Sequence, residues 1–341
     1  LNWNSHKIED YISEVMAMLK ELNQVLVTIK GNITKTRGIL DKWEEKLMFE
    51  RKDGKVYTPD EFKESLSTLL KVRYNDIADG GLEIVKLLMQ SNKTLKVSKG
   101  APAWKAYTEH VNDIVIDGFS RAILSSVKYL CSQVDPDQMA KNETAPLLEV
   151  VLELASSSKD IVWVPEVGCS TTTDTPGIRD LFNSWVTSFV NIGNLVKRLD
   201  VAEGAYIKEM TEDYCVSSAI CNVINIVLAN EAKCEGFRGS YLKYEYLWKN
   251  DLSVSLKAFL NEKGVEVAGT KTDEREEPEL ALFDEEIQRY KNVQQEISEL
   301  PASTIIGWLK IDAKPIKQSL ANWVTKWIFL FTEHLVNRVR G

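Results

Sequence analysis

The sequence predicts an all-α protein built from successive long-helix bundles with one small β-hairpin insertion. Apolar residues recur at helical spacing through most of the 341 residues. Helix-starting signals, each with a proline near the first helical position, recur at intervals that suit long helices and short turns. One stretch, between Pro146 and Pro165, instead shows the spacing of strands. Together these three observations indicate the fold class.

Length and composition are those of a globular protein with more than one core. A chain of 341 residues exceeds the size at which single cores usually stop growing. Apolar residues make up 44% and charged residues 27%, which argues against disorder. The net charge of -8 excludes the basic surface of a nucleic-acid-binding protein. Since charge interrupts the apolar stretches within about ten residues, short of the roughly 20 that span a bilayer, we expect no membrane partner either.

The first helix is predicted to be unusually long. Apolar residues follow alternating steps of four and three with only Thr36 off the pattern, a heptad stripe typical of a helix packed lengthwise against partners. About 40 residues at about 1.5 Å each give a rod about 60 Å long. A break near Gly31 or Gly38 is the alternative, because glycine in a helix interior costs about 1 kcal/mol relative to alanine. The stripe consists of Ile8, Ile12, Val15, Leu19, Leu22, Leu26, Ile29, Ile33, Leu40, Trp43 and Leu47.

Two further long helices follow. Residues 58–61 supply an N-cap threonine, a proline at the first helical position and a capping-box glutamate. This second helix should be kinked at Gly80-Gly81 and end near Gly100, and Pro102 should start the third. Three long helices joined by short turns predict an antiparallel bundle.

The second half of the chain mixes strands and helices. Residues 148–154 and 161–164 read as a β-hairpin. Helices are expected from Pro176 to Leu199, then over about 206–232 and 236–263. A last helical region follows, interrupted by one short segment, Thr304 to Asp312, that is a candidate for extended structure; Pro315 begins the final helix.

These elements divide the chain into five segments. We expect a helical bundle over 1–145, a β-hairpin and loop over 146–175, and a second bundle over 176–267. An acidic loop over 268–278 then precedes a helical segment over 279–341.

We find no residue set that specifies catalysis, a cofactor or a metal. Asp174-Thr175-Pro176-Gly177 copies the DxxG element of GTPases, but the glycine-rich GK[ST] loop that phosphate binding also needs is missing. Helix capping by Asp174 or Thr175 explains the same residues. His6, His110 and His334 lack neighbours at metal-ligand spacing, and adjacent acids such as Glu44-Glu45 indicate a solvated face. The other adjacent acids are Glu276-Glu277 and Glu285-Glu286.

The cysteines and tryptophans are interpreted as structural. The 5 cysteines include no CxxC pair, which indicates reduced thiols on the cytosolic side. We expect Cys215, Cys221 and Cys234 to be small buried apolar residues rather than nucleophiles. Tryptophan marks cores and interfaces, and five tryptophans lie on the apolar stripes. They are Trp43, Trp104, Trp185, Trp323 and Trp327.

Beyond these generic patterns, ordered short matches through the chain resemble the tail of axonemal dynein heavy chains, in the stretch just before the linker domain. Trp163 departs from the pattern, where phenylalanine or isoleucine is expected, and 171–174 is a variable insert. The matching segments are Lys42-Trp43, Phe49 to Lys55, Arg73-Tyr74, Trp104 to Tyr107, Val111 to Phe119, Ser126 to Leu130, Ala145 to Glu149, Val151 to Leu154, Trp163 to Pro165, Trp185, Lys197 to Asp200, Gly307 to Asp312, Pro315 to Leu320 and Lys326-Trp327.

The resemblance implies a structural tail segment of a minus-end-directed microtubule motor of cilia and flagella. It implies ATP and Mg²⁺ in a motor ring elsewhere in the parent chain, and neither here. The implied partners are other heavy chains, intermediate and light chains, and docking proteins on doublet microtubules. Leu1 in place of methionine, and Gly341 directly after a helical pattern, lead us to expect that both ends are excised. A helical-bundle adaptor outside the dynein family is the alternative.

Overall fold

The computed structural model confirms the predicted all-α class within the residues that it describes. These contain eleven α-helices, two 3-10 turns and two small sheets. The described residues are 6–52, 54–170, 175–200, 204–266, 275–276 and 278–340. The helices are α1 (His6–Glu45), α2 (Pro59–Leu95), α3 (Pro102–Val134), α4 (Pro136–Lys141), α5 (Ile178–Val190), α6 (Ile207–Glu212), α7 (Tyr214–Ser240), α8 (Tyr246–Lys249), α9 (Leu252–Lys263), α10 (Leu280–Glu299) and α11 (Lys314–Arg340).

The strands form one four-stranded and one two-stranded sheet. The larger sheet has the order β2-β1-β6-β5 and the smaller pairs β3 with β4. The strands are β1 (Leu148–Leu154), β2 (Ile161–Val164), β3 (Val265–Glu266), β4 (Arg275–Glu276), β5 (Ser303–Ile306) and β6 (Leu309–Asp312).

The chain folds as two compact units, each assembled from separate stretches. Unit 1 comprises Leu1–Gly54, Glu61–Gln138 and Phe182–Asn225. Unit 2 comprises the rest of the chain, Lys55–Asp60, Met139–Leu181 and Ile226–Gly341.

In unit 1, α1 packs lengthwise against α3. Leu40 is fully buried, and a Cβ built on Gly118 would lie 2.7 Å from its side chain, so the two helices approach as closely as glycine permits. Next to this contact, the rings of Trp43 and Phe119 lie 5.0 Å apart. The α1–α3 contact is therefore a tightly packed layer of the core.

A buried polar group links all three long helices of unit 1. Asn32 Nδ2 donates to Ser91 Oγ at 3.0 Å, and Ser91 Oγ lies 3.0 Å from the Tyr107 hydroxyl. Thr36, the residue off the heptad pattern, is buried and donates its hydroxyl to the Asn32 carbonyl at 3.0 Å. Because buried polar groups must be paired, this arrangement fixes the register of α1 against α2 and α3.

The first helix is continuous, so the single-rod prediction is confirmed and the break at Gly31 or Gly38 is not. The second helix also runs through Gly80-Gly81. A Cβ at Gly80 would lie 2.8 Å from the Trp43 indole, and one at Gly81 would lie 2.5 Å from the Val196 side chain. The glycine pair therefore permits close packing on both sides of α2.

Trp185 lies at the centre of an aromatic cluster that forms a second part of the unit 1 core. Its ring centroid lies 4.6 Å from that of Phe49, 4.9 Å from Phe62 and 5.4 Å from Phe182. The pairs with Phe49 and Phe62 are edge-to-face, and aromatic pairs in such arrangements add about 0.5–1.5 kcal/mol each beyond the apolar area that they bury.

In unit 2, the predicted hairpin β1–β2 is half of a larger sheet. β1 pairs antiparallel with β2 and parallel with β6, which places Val150 beside Ile311. The predicted extended segment thus forms a second hairpin, β5–β6. α11 packs on β1 and α10, and Trp327 Nε1 donates to the Leu247 carbonyl at 2.7 Å. The hairpin is confirmed, and it forms half of the four-stranded sheet of unit 2.

Several predicted helix bounds are wrong. The helix expected to reach Leu199 ends at Val190, because the returning chain lies against Gly193 and the Tyr206 amide donates to its carbonyl at 2.8 Å. The break expected near residues 233–235 is absent from α7, which continues to Ser240.

We expect opposite effects from adding one methyl group to two helical glycines. Gly38→Ala should raise the free energy of unfolding by about 0.5–1 kcal/mol, since alanine favours the helix and no described atom lies within 4 Å of the new Cβ. Gly118→Ala should lower it by about 1–3 kcal/mol, since Leu40 has no room to move. Urea unfolding followed by circular dichroism measures both; equal shifts would contradict the packing described.

Candidate protein interaction surface

The first helix has one buried half and one exposed half. From Asn32 onward its inward residues are buried, and Leu40 is 0% exposed. Before that point Ile12 is 48%, Leu19 59% and Leu22 55% exposed. The same heptad spacing runs through both halves, so burial, not sequence pattern, separates them.

The exposed half carries a continuous apolar surface, which we call the α1 apolar face. Contiguous exposed apolar patches of more than a few hundred Å² are rare on monomers and mark interaction sites. An exposed ion pair, Lys96 Nζ to Glu21 Oε1 at 3.0 Å, touches this half of the helix and contributes about 0–1 kcal/mol. The face consists of Tyr11, Ile12, Met16, Met18, Leu19, Leu22 and Leu26.

A second apolar surface of unit 1 lies between α5, α6 and α7. It is an open groove with a volume of about 440 Å³. Val186 and Val190 of α5, together with Ile220 and Ile224 of α7, supply its apolar lining. The groove is partly rimmed by polar side chains such as Asn183.

The helix that borders this groove is unusually free of charge. No charged residue occurs from Tyr214 to Asn230, so the expectation that charge interrupts every apolar stretch within about ten residues is wrong here. In the part of the chain that the structure describes, one helical stretch, Tyr214–Tyr244, is long and apolar enough to cross a membrane. A single stretch is weak evidence, since core helices of soluble proteins pass the same test.

The residues of the GTPase-like motif play a local structural role where they are described. Asp174 lies outside the described residues. The helix begins at Ile178 rather than Pro176, and Asp180 Oδ2 accepts from the amides of Ser170 and Gly177 at 2.7 and 3.1 Å. The Ser170 hydrogen bond, with other amide and side-chain contacts, lowers the pKa of Asp180 below its usual value. The side chain of Asp180 therefore serves the start of α5.

The histidines occupy unrelated settings. His6 and His110 are exposed, while the His334 ring stacks on Phe283 at 5.5 Å. Among the described residues, no group of three or more His, Cys, Asp or Glu side chains is placed to hold a metal ion.

Two of the adjacent acids, Glu44 and Glu286, form ion pairs at helix surfaces. Glu44 pairs with Arg121, whose guanidinium also contacts Asp41 at 3.1 Å and Asp117 at 3.0 Å. Glu286 pairs with Arg289 one turn along α10. The side chains of Glu276 and Glu277 lie outside the described residues. These half-exposed pairs stabilise helix contacts and form no facing carboxylate pair.

The expectation for the cysteines is only partly correct. Cys234 is buried, and burial raises the pKa of its thiol to about 12. Cys215 and Cys221 are exposed, so the prediction that they are buried is wrong. They lie on the solvent side of α7, and the uncharged stretch from Tyr214 to Asn230 gave no signal for which side of the helix faces solvent.

Four of the five tryptophans predicted in the core are buried, namely Trp43, Trp104, Trp185 and Trp327. Trp323 is half-exposed, with Lys326 Nζ 4.2 Å from its ring centroid. The departure at Trp163 is also accommodated by the fold: this side chain is buried and its Nε1 donates to Glu235 Oε1 at 2.9 Å.

Comparison with known proteins identifies homologues of the chain. No protein-family model matches the chain. The chain is 48% identical over 340 residues to the dynein beta chain of the flagellar outer arm of Chlamydomonas reinhardtii, an alignment that covers 99% of this chain. The chain is homologous to one segment of the axonemal dynein heavy chains. It is also 28% identical to axonemal dynein heavy chain 17 of Mus musculus and 29% identical to the ciliary dynein beta chain of Heliocidaris crassispina, each over 99% of this chain.

The axonemal dynein resemblance is thereby confirmed, along with the expected location in the cytoskeleton of cilia and flagella. The chain spans only 7% or 8% of the length of these relatives. Most of an axonemal dynein heavy chain therefore lies outside the 341 residues.

We expect the cysteines to differ sharply in reactivity. At pH 8, a thiol of pKa about 12 is ionised to only about one part in 10⁴, so native Cys234 should resist iodoacetamide. The exposed Cys215 and Cys221 should be alkylated rapidly. Mass spectrometry of tryptic peptides measures the rates, with labelling in urea as the control in which all the cysteines react. Rapid native labelling of Cys234 would contradict its burial.

Proposed function

We propose that residues 1–341 are a structural, non-catalytic tail segment of an axonemal dynein heavy chain, which transmits force and supports assembly with other subunits. The observation that carries the proposal is the division of α1 into a buried half and an exposed apolar half. A helix anchored in one folded unit and presenting an apolar stripe beyond it is suited to join that unit to another body.

The packing of α1 suits mechanical transmission. Its 40 residues form a continuous helix, about 60 Å long at about 1.5 Å per residue. The buried half is held by the Leu40–Gly118 contact and by the Asn32 hydrogen bonds. Force applied along such a helix is distributed over several packed layers, whereas a loop connection would absorb it by bending.

The proposal extends to the activity and partners of the parent protein. The relatives are dynein heavy chains by name, so we assign the parent chain to minus-end-directed microtubule motors that hydrolyse ATP with Mg²⁺ in a ring outside this segment. Other heavy chains, intermediate and light chains, and docking proteins on doublet microtubules are its proposed partners. We further propose that the segment 279–341 leads into the linker domain.

A break in α1 should impair microtubule gliding or arm assembly without impairing ATP hydrolysis. Gly38→Pro in the full heavy chain removes a helical hydrogen bond and kinks α1, at a cost of about 3 kcal/mol or more. We expect ATP hydrolysis by the purified motor to be unchanged, while microtubule gliding under load slows or arm assembly fails. Gly38→Ala, at the same position, should preserve both.

Two results would contradict the proposal. One is a loss of ATP hydrolysis by Gly38→Pro in proportion to the loss of gliding. The other is ATP binding by the 341-residue chain itself, measured by titration calorimetry. Circular dichroism of the variant chain shows whether unit 1 is still folded.

A further inference from the structure

We infer that the α1 apolar face is covered, in the complete heavy chain, by a pair of helices from the same polypeptide that lie outside residues 1–341. The inference rests on the proposed tail function and identifies the partner of the α1 apolar face. It follows from the width of the face, from the way the other half of α1 is covered, and from the length of the parent chain.

The width of the face indicates more than one covering helix. In heptad terms Ile12, Leu19 and Leu26 occupy the a positions, and Ile8, Val15 and Leu22 the d positions. The flanking g positions, which carry charges in a two-stranded coiled coil, hold Tyr11, Met18 and Val25 along this half. The e positions hold Met16 between the polar residues Glu9 and Asn23. Apolar residues at a, d and g make a stripe wider than the a/d seam of a two-stranded coiled coil and typical of a helix in a bundle.

The buried half of α1 shows what kind of neighbour fits the stripe. There the cover is a helical hairpin, α2 and α3, which are joined by the short turn 96–101. Asn32 of α1 bonds to Ser91 of α2, and Leu40 of α1 packs against Gly118 of α3. The same heptad spacing therefore already accommodates two helices.

The exposed half begins where that hairpin ends. Lys96, the first residue after α2, pairs with Glu21 of α1 at 3.0 Å. Between His6 and Gln24, every residue of α1 except Ile8 and Val15 is exposed, so this part of the helix is open to solvent on all sides. A second helical hairpin placed end to end with α2 and α3 would continue their contact with the same stripe.

Length and tethering favour the same polypeptide as the source of that hairpin. The homologous heavy chains are so long that this segment makes up 7% or 8% of them. A tethered segment faces the α1 apolar face at an effective concentration on the order of millimolar, while a separate subunit must be captured from dilute solution.

The net negative charge of the exposed half of α1 predicts the charge of the helices that cover it. Between His6 and Gln24, α1 has four acidic residues and two lysines. Helices that cover it should therefore present basic residues beside their apolar stripes, since complementary potentials favour the correct partner. The acidic residues are Glu9, Asp10, Glu14 and Glu21, and the lysines are Lys7 and Lys20.

Hydrogen exchange at the backbone amides of residues 12–24 tests the inference. The samples are the 341-residue chain, the full-length heavy chain expressed without other subunits, and the intact dynein arm. We expect rapid exchange in the first sample and exchange slower by about a hundredfold or more in the second and third, because burial of the face suppresses local opening. Amides of α3, protected in all three samples, serve as the internal control.

A matched pair of variants links the protection to the face. Leu19→Asp with Leu22→Asp places two charges on the α1 apolar face and should abolish the protection in the full-length heavy chain. Ala17→Asp with Gln24→Asp adds the same charges to the same helix at f positions, opposite the stripe, and should leave protection intact. Both pairs lie at exposed positions, so the 341-residue chain should unfold at the same urea concentration with either.

Three outcomes would overturn the inference. Protection only in the intact arm would assign the face to another subunit, concentration-dependent protection in the 341-residue chain would assign it to a second copy, and rapid exchange in all samples would leave the face uncovered. In each case the proposed tail function stands if Gly38→Pro still uncouples gliding from ATP hydrolysis. It fails separately if that uncoupling is absent.

Discussion

The close approach of α1 to α3, where the buried side chain of Leu40 lies against Gly118, is the constraint on which unit 1 depends. A larger residue at position 118 would force the helices apart and open the layers on either side. Those layers hold the Asn32–Ser91 hydrogen bond and the Trp43–Phe119 ring pair. Because these contacts lie along one face of a single helix, they align its buried half as a rigid base, and the exposed half extends from that base.

Unit 2 is held together by a different principle, which is pairing of strands that are distant in sequence. β1 and β6 are separated by more than 150 residues and yet lie parallel, with Glu149 Oε2 and Lys310 Nζ 3.1 Å apart across the pair. The four-stranded sheet supports α11, whose Trp327 donates to the Leu247 carbonyl. Strand pairing between distant segments gives this unit its integrity, since neither hairpin alone would be stable in water.

The parts of the fold that the sequence could predict are those with local physical signals. The heptad stripe predicted one continuous α1, and the proline and capping residues near position 59 predicted the start of α2. Non-local contacts escaped prediction: the parallel β1–β6 pairing, and the end of α5 at Val190, where the chain returns to Gly193. The candidate surface could be predicted only in part: the sequence shows the apolar stripe of α1 but not which half of the stripe is buried. Heptad spacing is identical at Leu19 and Leu40, and only the extent of α2 and α3 decides which of them is covered.

An exposed stripe that continues a buried one is thus the central feature of this segment, and a scan of α1 with nitroxide spin labels tests it most directly. Single labels would be placed at successive positions from Ile12 to Leu26 in the full-length heavy chain, and their mobility read by electron paramagnetic resonance. We expect immobilised labels at Ile12, Leu19 and Leu26, seven residues apart, and mobile labels at Ala17 and Gln24. Equal mobility at all positions would contradict the account.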